Sequence, residues 1–152
     1  MIQGGSGIEV RVTATSDALR KLGRQLGDRR QANQALANQM SSWVARNFDA
    51  EGALGQTPWA ALAPSTAKAK LKKYGALHIL EGSGFLRASF SRFGYDNDSA
   101  TVGSDVLYSK YHEEGGEHLP RRPMLPPPDV ALRDAVDVYQ LFIDRARGSA
   151  GL

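Results

Sequence analysis

The sequence predicts an α+β domain in which a long N-terminal helix and a C-terminal helix pack on a small antiparallel sheet of three or four strands. Three observations predict it. Apolar residues recur at helical spacing over two long stretches, residues 17–49 and 129–148. Short segments that alternate apolar and polar residues, bounded by turn formers, lie near the N-terminus and around Asp96-Asn97-Asp98. Between the sheet and the last helix, Pro120, Pro123 and the run Pro126-Pro127-Pro128 rule out regular structure and impose an extended arm.

The elements follow in order. Ile8-Glu9-Val10-Arg11-Val12-Thr13 alternates apolar and polar and reads as a half-buried strand. Ser16 is an N-cap, Asp17 suits the positive end of a helix dipole, and Leu19, Leu22 and Leu26 share one face. Gly23 and Gly27 weaken that helix, and Asp28 with Gln31 resembles a capping box that restarts it. Leu36, Met40, Trp43, Val44 and Phe48 then form one stripe down to about Asp49, with Met40 and Trp43 in the core.

Residues 52–58 form a loop, followed by the apolar anchor Trp59, Leu62 and Pro64. Pro64-Ser65-Thr66 opens a helix through Ala67, Ala69 and Leu71, its lysines outward, that stops at Tyr74-Gly75. After a short apolar run at Leu77, Ile79 and Leu80 and the break Gly82-Ser83-Gly84, residues 85–95 read as a strand with Leu86, Ala88 and Phe90 on one face. Asp96-Asn97-Asp98 makes the turn, and Ala100–Gly103 is the returning strand.

Residues 107–128 form the arm segment. Leu107, Tyr108 and Tyr111 share one side of a short helix that Gly115-Gly116 ends, and Met124 and Leu125 are apolar side chains on an extended chain that need burial. Asp129 is an N-cap for the last helix, whose buried side is Val130, Leu132, Val136, Tyr139, Leu141, Phe142 and Ile143, and Arg145, Arg147 and Gly148 close it. The 152 residues make one domain, with a flexible start over 1–7 and a frayed tail over 149–152.

Composition excludes several function classes. No cysteine is present, so disulfide frameworks and thiolate-ligated metals are ruled out. No apolar run approaches the roughly 20 residues of a membrane span, and the N-terminus has neither a basic region nor an apolar core for export, so a cytoplasmic protein with no membrane partner is expected. The net charge of +3 is weak for a nucleic-acid module. It is also unevenly distributed. Arg20, Lys21, Arg24, Arg29 and Arg30 cluster early, Lys68, Lys70, Lys72 and Lys73 in the middle, and Glu113, Glu114 and Glu117 make an acidic patch.

Chemical motifs are scarce. His112 and His118 stand six apart across two glycines, not four apart on one helix as a zincin site requires. Ser83 lies between glycines where turn chemistry explains it, and neither phosphate-loop pattern is complete. His78 reads as a surface or strand-end residue. No catalytic, metal or cofactor site is expected, and the chain does not read as an enzyme.

Several pieces, in order, resemble the phage virion morphogenesis family, the Mu-like tail completion and head–tail joining proteins. They are the helix ending in Phe48; Gly55-x-x-Pro58-Trp59-Ala60-x-Leu62; Ile79-Leu80-x-x-Ser83-Gly84-x-Leu86-Arg87-x-Ser89; Val102-Gly103-Ser104; Tyr108-x-x-Tyr111-His112-x-x-Gly115-Gly116; and Pro120-Arg121-Arg122-Pro123-Met124-Leu125. The resemblance implies a structural subunit of a hexameric or dodecameric ring at the virion neck or tail. It would be a terminator, stopper or completion protein that joins head connector and tail tube, assembled in the host cytoplasm, with DNA passing through the lumen without specific binding.

On that implication Trp43, Phe48, Trp59 and Leu62 are structural anchors. Arg87 presents a cation at a sheet edge or subunit boundary, and Tyr108, Tyr111, His112, Arg121, Arg122, Pro123, Met124 and Leu125 contribute to a subunit interface. For the arm, two readings stand: Met124 and Leu125 buried on a neighbour with Arg121 and Arg122 pairing acidic groups, or packing within the chain. The alternative function is a small basic DNA-guiding module using Arg20, Lys21, Arg24 and residues 68–73.

Overall fold

The computed structural model describes residues 7–13, 16–90 and 93–149. The expectations for residues 1–6 and 150–152 lie outside the described residues. Strand β1 (Ile8–Thr13) leads into helices α1 (Asp17–Leu26) and α2 (Arg30–Asp49), then a short 3-10 turn at Ala53–Gly55. Helices α3 (Pro64–Tyr74) and α4 (Phe85–Ser89), strands β2 (Phe93–Tyr95) and β3 (Ser99–Ser104), and helices α5 (Ser109–Glu114) and α6 (Pro128–Ser149) complete the chain.

The sheet is antiparallel in the order β1-β3-β2, with Val10 opposite Val102, Val12 opposite Ala100 and Tyr95 opposite Ala100. Residues directly opposite share a face, so Val10, Val12, Ala100 and Val102 point together into the core, where α2 covers β3 and α6 covers α1, α2 and β1. The expected break between α1 and α2 is at Gly27, with φ at +67°. The capping box expected of Asp28 and Gln31 is not what starts α2: the N-cap is Arg29, without a side-chain cap bond, and Asp28 accepts only from the Arg30 amide at 3.0 Å. The joint is fixed from outside as well: Arg29 reaches the β2–β3 turn through Asn97 Oδ1 at 2.7 Å and an ion pair with Asp98 at 3.1 Å.

Four other expectations change. Residues 85–95 are not one strand: Leu86, Ser89 and Phe90 are buried while Ala88 is exposed, which is helical spacing, and among the described residues of this stretch only Phe93–Tyr95 pairs with β3. An alternation of Leu86, Ala88 and Phe90 fits a strand as easily, and the core took the other register. In α6 the buried residues are Ala131, Ala135, Val138, Tyr139 and Ile143. Its alanines allow close approach to α1 and α2, which leaves Leu132 and Leu141 exposed at the flanks. Asp129 is not the N-cap but lies in the first turn behind Pro128, the residue type best suited to a first helical position. Finally, α3 buries none of its residues, Leu71 included.

Candidate functional site

The arm is built into its own chain. It runs past the C-terminal end of α2, the loop of residues 50–62 and α5. Helix α2 supplies Asn47 and Phe48, both buried, and the loop returns so that the Trp59 ring meets Phe48 edge-on, 5.2 Å between centroids. From there the indole Nε1 donates to the Pro123 carbonyl at 2.8 Å, and Asn47 Nδ2 donates to the same oxygen at 3.2 Å. Proline lacks the N–H donor but keeps its carbonyl, and here two side-chain donors satisfy that acceptor.

Arg122 is 6% exposed. Its guanidinium places Nε and Nη2 at 3.1 and 2.8 Å from the Ala60 carbonyl, and Nη2 reaches Ala61 at 3.3 Å. The Arg122 amide donates to the His112 carbonyl at 2.7 Å. On the far side, Glu113 Oε2 accepts from the amides of Met124 at 2.6 Å and Leu125 at 3.3 Å. Burial holds the Glu113 carboxyl above its ordinary pKa against the pull of those two amides. Burial, then the Arg122 charge, holds the His112 imidazole below its usual value. Gly115 makes the turn between α5 and the arm, with φ at +73°, and an added Cβ would lie 2.9 Å from the Arg121 nitrogen.

The expectation that Met124 and Leu125 are buried on a neighbour, with Arg122 pairing an acidic group there, is therefore corrected. Met124 is 0% exposed within the chain, Leu125 is buried beside it, and Arg122 binds backbone carbonyls. The reason is length. The arm is short and tethered at both ends, so its apolar side chains reach the chain's own core first. Pro123 is part of the same seat. Arg121 stays exposed, its Nε on the Glu113 carbonyl at 3.1 Å.

Arg87 lies on α4 rather than at a sheet edge, and bridges Glu81 at 2.7 Å and Asp49 at 2.8 Å. Those carboxylates hold its pKa above the usual value. Trp43 and Phe48 are core residues on α2, and Leu62 is partly buried against the core. His112 is half-buried, with Nδ1 enclosed and without a partner among the described residues. Tyr108 and Tyr111 are exposed, Tyr108 edge-on to His112 at 6.2 Å.

Asn47, Glu113, Ala60 and Ala61 have no expected role from sequence in seating the arm. Asn47 carried a signal: with Asn33 it falls in register with Leu36, Met40 and Val44 on α2, and an amide at a core position marks a buried bond. Glu113 looked like one member of an acidic surface patch. The Ala60 and Ala61 carbonyls carry no sequence signal, since any residue offers that group.

The fold and this site define a small α+β structural domain clamped by its own proline-rich arm. Among the described residues no group of three or more His, Asp or Glu side chains is placed to hold a metal. Residues 10–140 match the phage virion morphogenesis family, and the chain belongs to it. It is similar to the Mu-like prophage FluMu G protein 2 of Haemophilus influenzae, 30% identical over 139 residues that cover 84% of this chain and 91% of that protein. No solved structure matches.

Proposed function

We propose that the chain is a non-catalytic structural subunit of a closed ring at the neck or tail of the phage particle, joining head connector to tail as a terminator, stopper or completion protein. Family membership over most of the chain supports a part in particle assembly. The observation that carries the ring is the surface around α4 and α5. Phe85 and Leu107 are 61% and 64% exposed and, with Tyr108, line one depression of about 480 Å3. Grouped large apolar side chains on the surface of a domain mark a contact surface, and Tyr111 on α5 is also exposed.

Light scattering of the purified chain over a concentration series tests this. A plateau mass that is a fixed small multiple of 16.4 kDa is expected, and Leu107→Ser with Tyr108→Ser lowers it. A monomer at every concentration would sink the self-forming ring. A second reading, a DNA-guiding surface, draws on the exposed Lys68, Lys72 and Lys73. It requires DNA binding that weakens steeply with salt, and no binding at low salt disposes of it.

A further inference from the structure

Strand β1 is an open edge of the sheet. In the order β1-β3-β2 it has one neighbour, and it pairs with β3 in unbroken register from Ile8 opposite Ser104 to Thr13 opposite Ser99. An antiparallel ladder turns the backbone groups of alternate residues to alternate sides, so half of those on β1 point away from β3. Among the described residues no backbone group of residues 8–12 bonds to anything other than β3. A free edge is a template for another strand, and chains that keep an edge unpaired blunt it with proline, lysine or a bulge. Ile8–Thr13 has none of these.

The edge has apolar surface beside it. Ile8, Val10 and Val12 pack toward the core yet stay only partly buried. A depression of about 400 Å3 is lined by Val10, Arg11, Val12 and Thr13 together with Pro128 and Leu132 of α6. Successive residues of a strand point to opposite faces, so a hollow lined by four in a row follows the edge of β1 rather than one face of it. Leu132, in its wall, is 40% exposed.

The residues of β1 say what fits. Laid antiparallel on a second β1 with Val10 opposite Val10, Ile8 meets Val12 and Glu9 meets Arg11, each twice. The apolar residues then share one face and the charges the other. Within one chain Glu9 and Arg11 are exposed and 3.3 Å apart, so two copies bring four alternating charges together. The same register sets Ile8 of the second copy beside Val12, at the depression that Leu132 lines. A shift of two residues sets Glu9 against Glu9 or Arg11 against Arg11, and a shift of one sets valines against charges.

We propose that two copies pair through β1 in this register, joining two three-stranded sheets into one. The contact is isologous and closes at two copies, so it is separate from the ring contact and does not depend on it. A purely acidic or purely basic strand would satisfy one charge of β1 and oppose the other, whereas a second β1 satisfies both.

The chain has no cysteine, so single cysteines report the register. In Val10→Cys the two thiols face each other, with opposite Cβ atoms about 4.5–5.5 Å apart, and mild oxidation should give a disulfide dimer on a non-reducing gel. In Val12→Cys the second thiol lies four residues along, about 14 Å away at ~3.4 Å per residue, and the chain should stay uncross-linked. Both results should persist when Leu107→Ser and Tyr108→Ser are added. Separately, Glu9→Arg and Arg11→Glu each put like charges opposite one another at both pairs, so each should dimerise about tenfold or more weakly than the unaltered strand. Mixed in equal amounts they should recover, because every charge then faces its opposite. Sedimentation of the Leu107→Ser, Tyr108→Ser chain, where a dimer is twice 16.4 kDa, reads this, and circular dichroism checks each fold. No cross-link at Val10, an equal one at Val12, undiminished pairing of either charge variant, or no recovery on mixing overturns the β1 contact whatever the ring does. A cross-linked dimer that never grows larger overturns the ring reading and leaves the β1 pairing in place.

Discussion

Replacing Arg122 tests whether the arm is held by a guanidinium fork. In Arg122→Met the apolar stem is kept and the bonds to Ala60 and Ala61 are lost. The two shorter ones, 3.1 and 2.8 Å, converge on one oxygen, and the third is long at 3.3 Å. Hydrogen bonds from charged donors contribute about 1.5–3 kcal/mol each at most. Two effects reduce the loss: Ala60 and Ala61 are exposed, so their carbonyls rehydrate, and methionine carries no charge to desolvate. A net loss of about 1–2 kcal/mol follows, or about 3–6 °C in melting temperature for a chain of this size.

The companion variant is Arg122→Lys, which keeps the charge but not the fork. It should be at least as destabilising as methionine. Hydrogen exchange at the Met124 and Leu125 amides should quicken about 5- to 30-fold in Arg122→Met, since 1.4 kcal/mol is a factor of ten. A lysine variant that melts with the wild type while methionine does not would show that charge alone suffices, and the fork argument would fall.

The remaining predictions concern the groups around the arm and core. The raised pKa of Glu113 means that the folded chain takes up a proton before the unfolded chain as pH falls, so its contribution to stability declines as pH rises from the ordinary carboxyl value through the raised one. Glu113→Gln keeps an acceptor for both amides and should flatten that part of the profile, read from thermal melts between about pH 4 and 8; an unchanged slope would clear Glu113. Gly115→Ala combines left-handed strain of about 1–2 kcal/mol with a backbone clash, so it should destabilise clearly more than Gly27→Ala, where φ is also positive but no atom lies within 4 Å; denaturant melts compare them. Tyr139→Phe leaves the Asn33 Oδ1 acceptor without its 2.6 Å donor and should cost about 1–3 kcal/mol by the same measurement.

Much of this fold could be read from local chemistry. Strand β1, the Ser16 cap, the break at Gly27 and the stripe of α2 come from periodicity and turn residues, which act within a few positions. The errors came where one pattern serves two registers. Leu86, Ala88 and Phe90 alternate as a strand would, yet Leu86, Ser89 and Phe90 fall equally well on one face of a helical turn, which leaves Ala88 outside. Leu132 and Leu141 are more hydrophobic than Ala131 and Ala135, but helix approach selects small residues, so the ranking by hydrophobicity put the wrong ones inside. The arm's extended backbone was legible from its prolines. Its partners were not, because Pro123 and Arg122 bond to groups 61–76 residues away, and two of those groups are backbone carbonyls.

A seated arm changes what assembly must accomplish under the ring reading. A free proline-rich arm would bring its own apolar side chains to a neighbour and be ordered at that moment. Here Met124 and Leu125 are already covered, so that ordering occurs on folding and association does not bear it. The contact surface must then be made of side chains left outside the core. Those are Phe85, Leu107, Tyr108 and Tyr111 around α4 and α5, and Leu71 with the wall of a groove along α3. The seat also connects to both regions. Arg122 and His112 line the α3 groove, and Glu113 and His112 belong to α5. Loosening the arm should therefore weaken self-association together with stability.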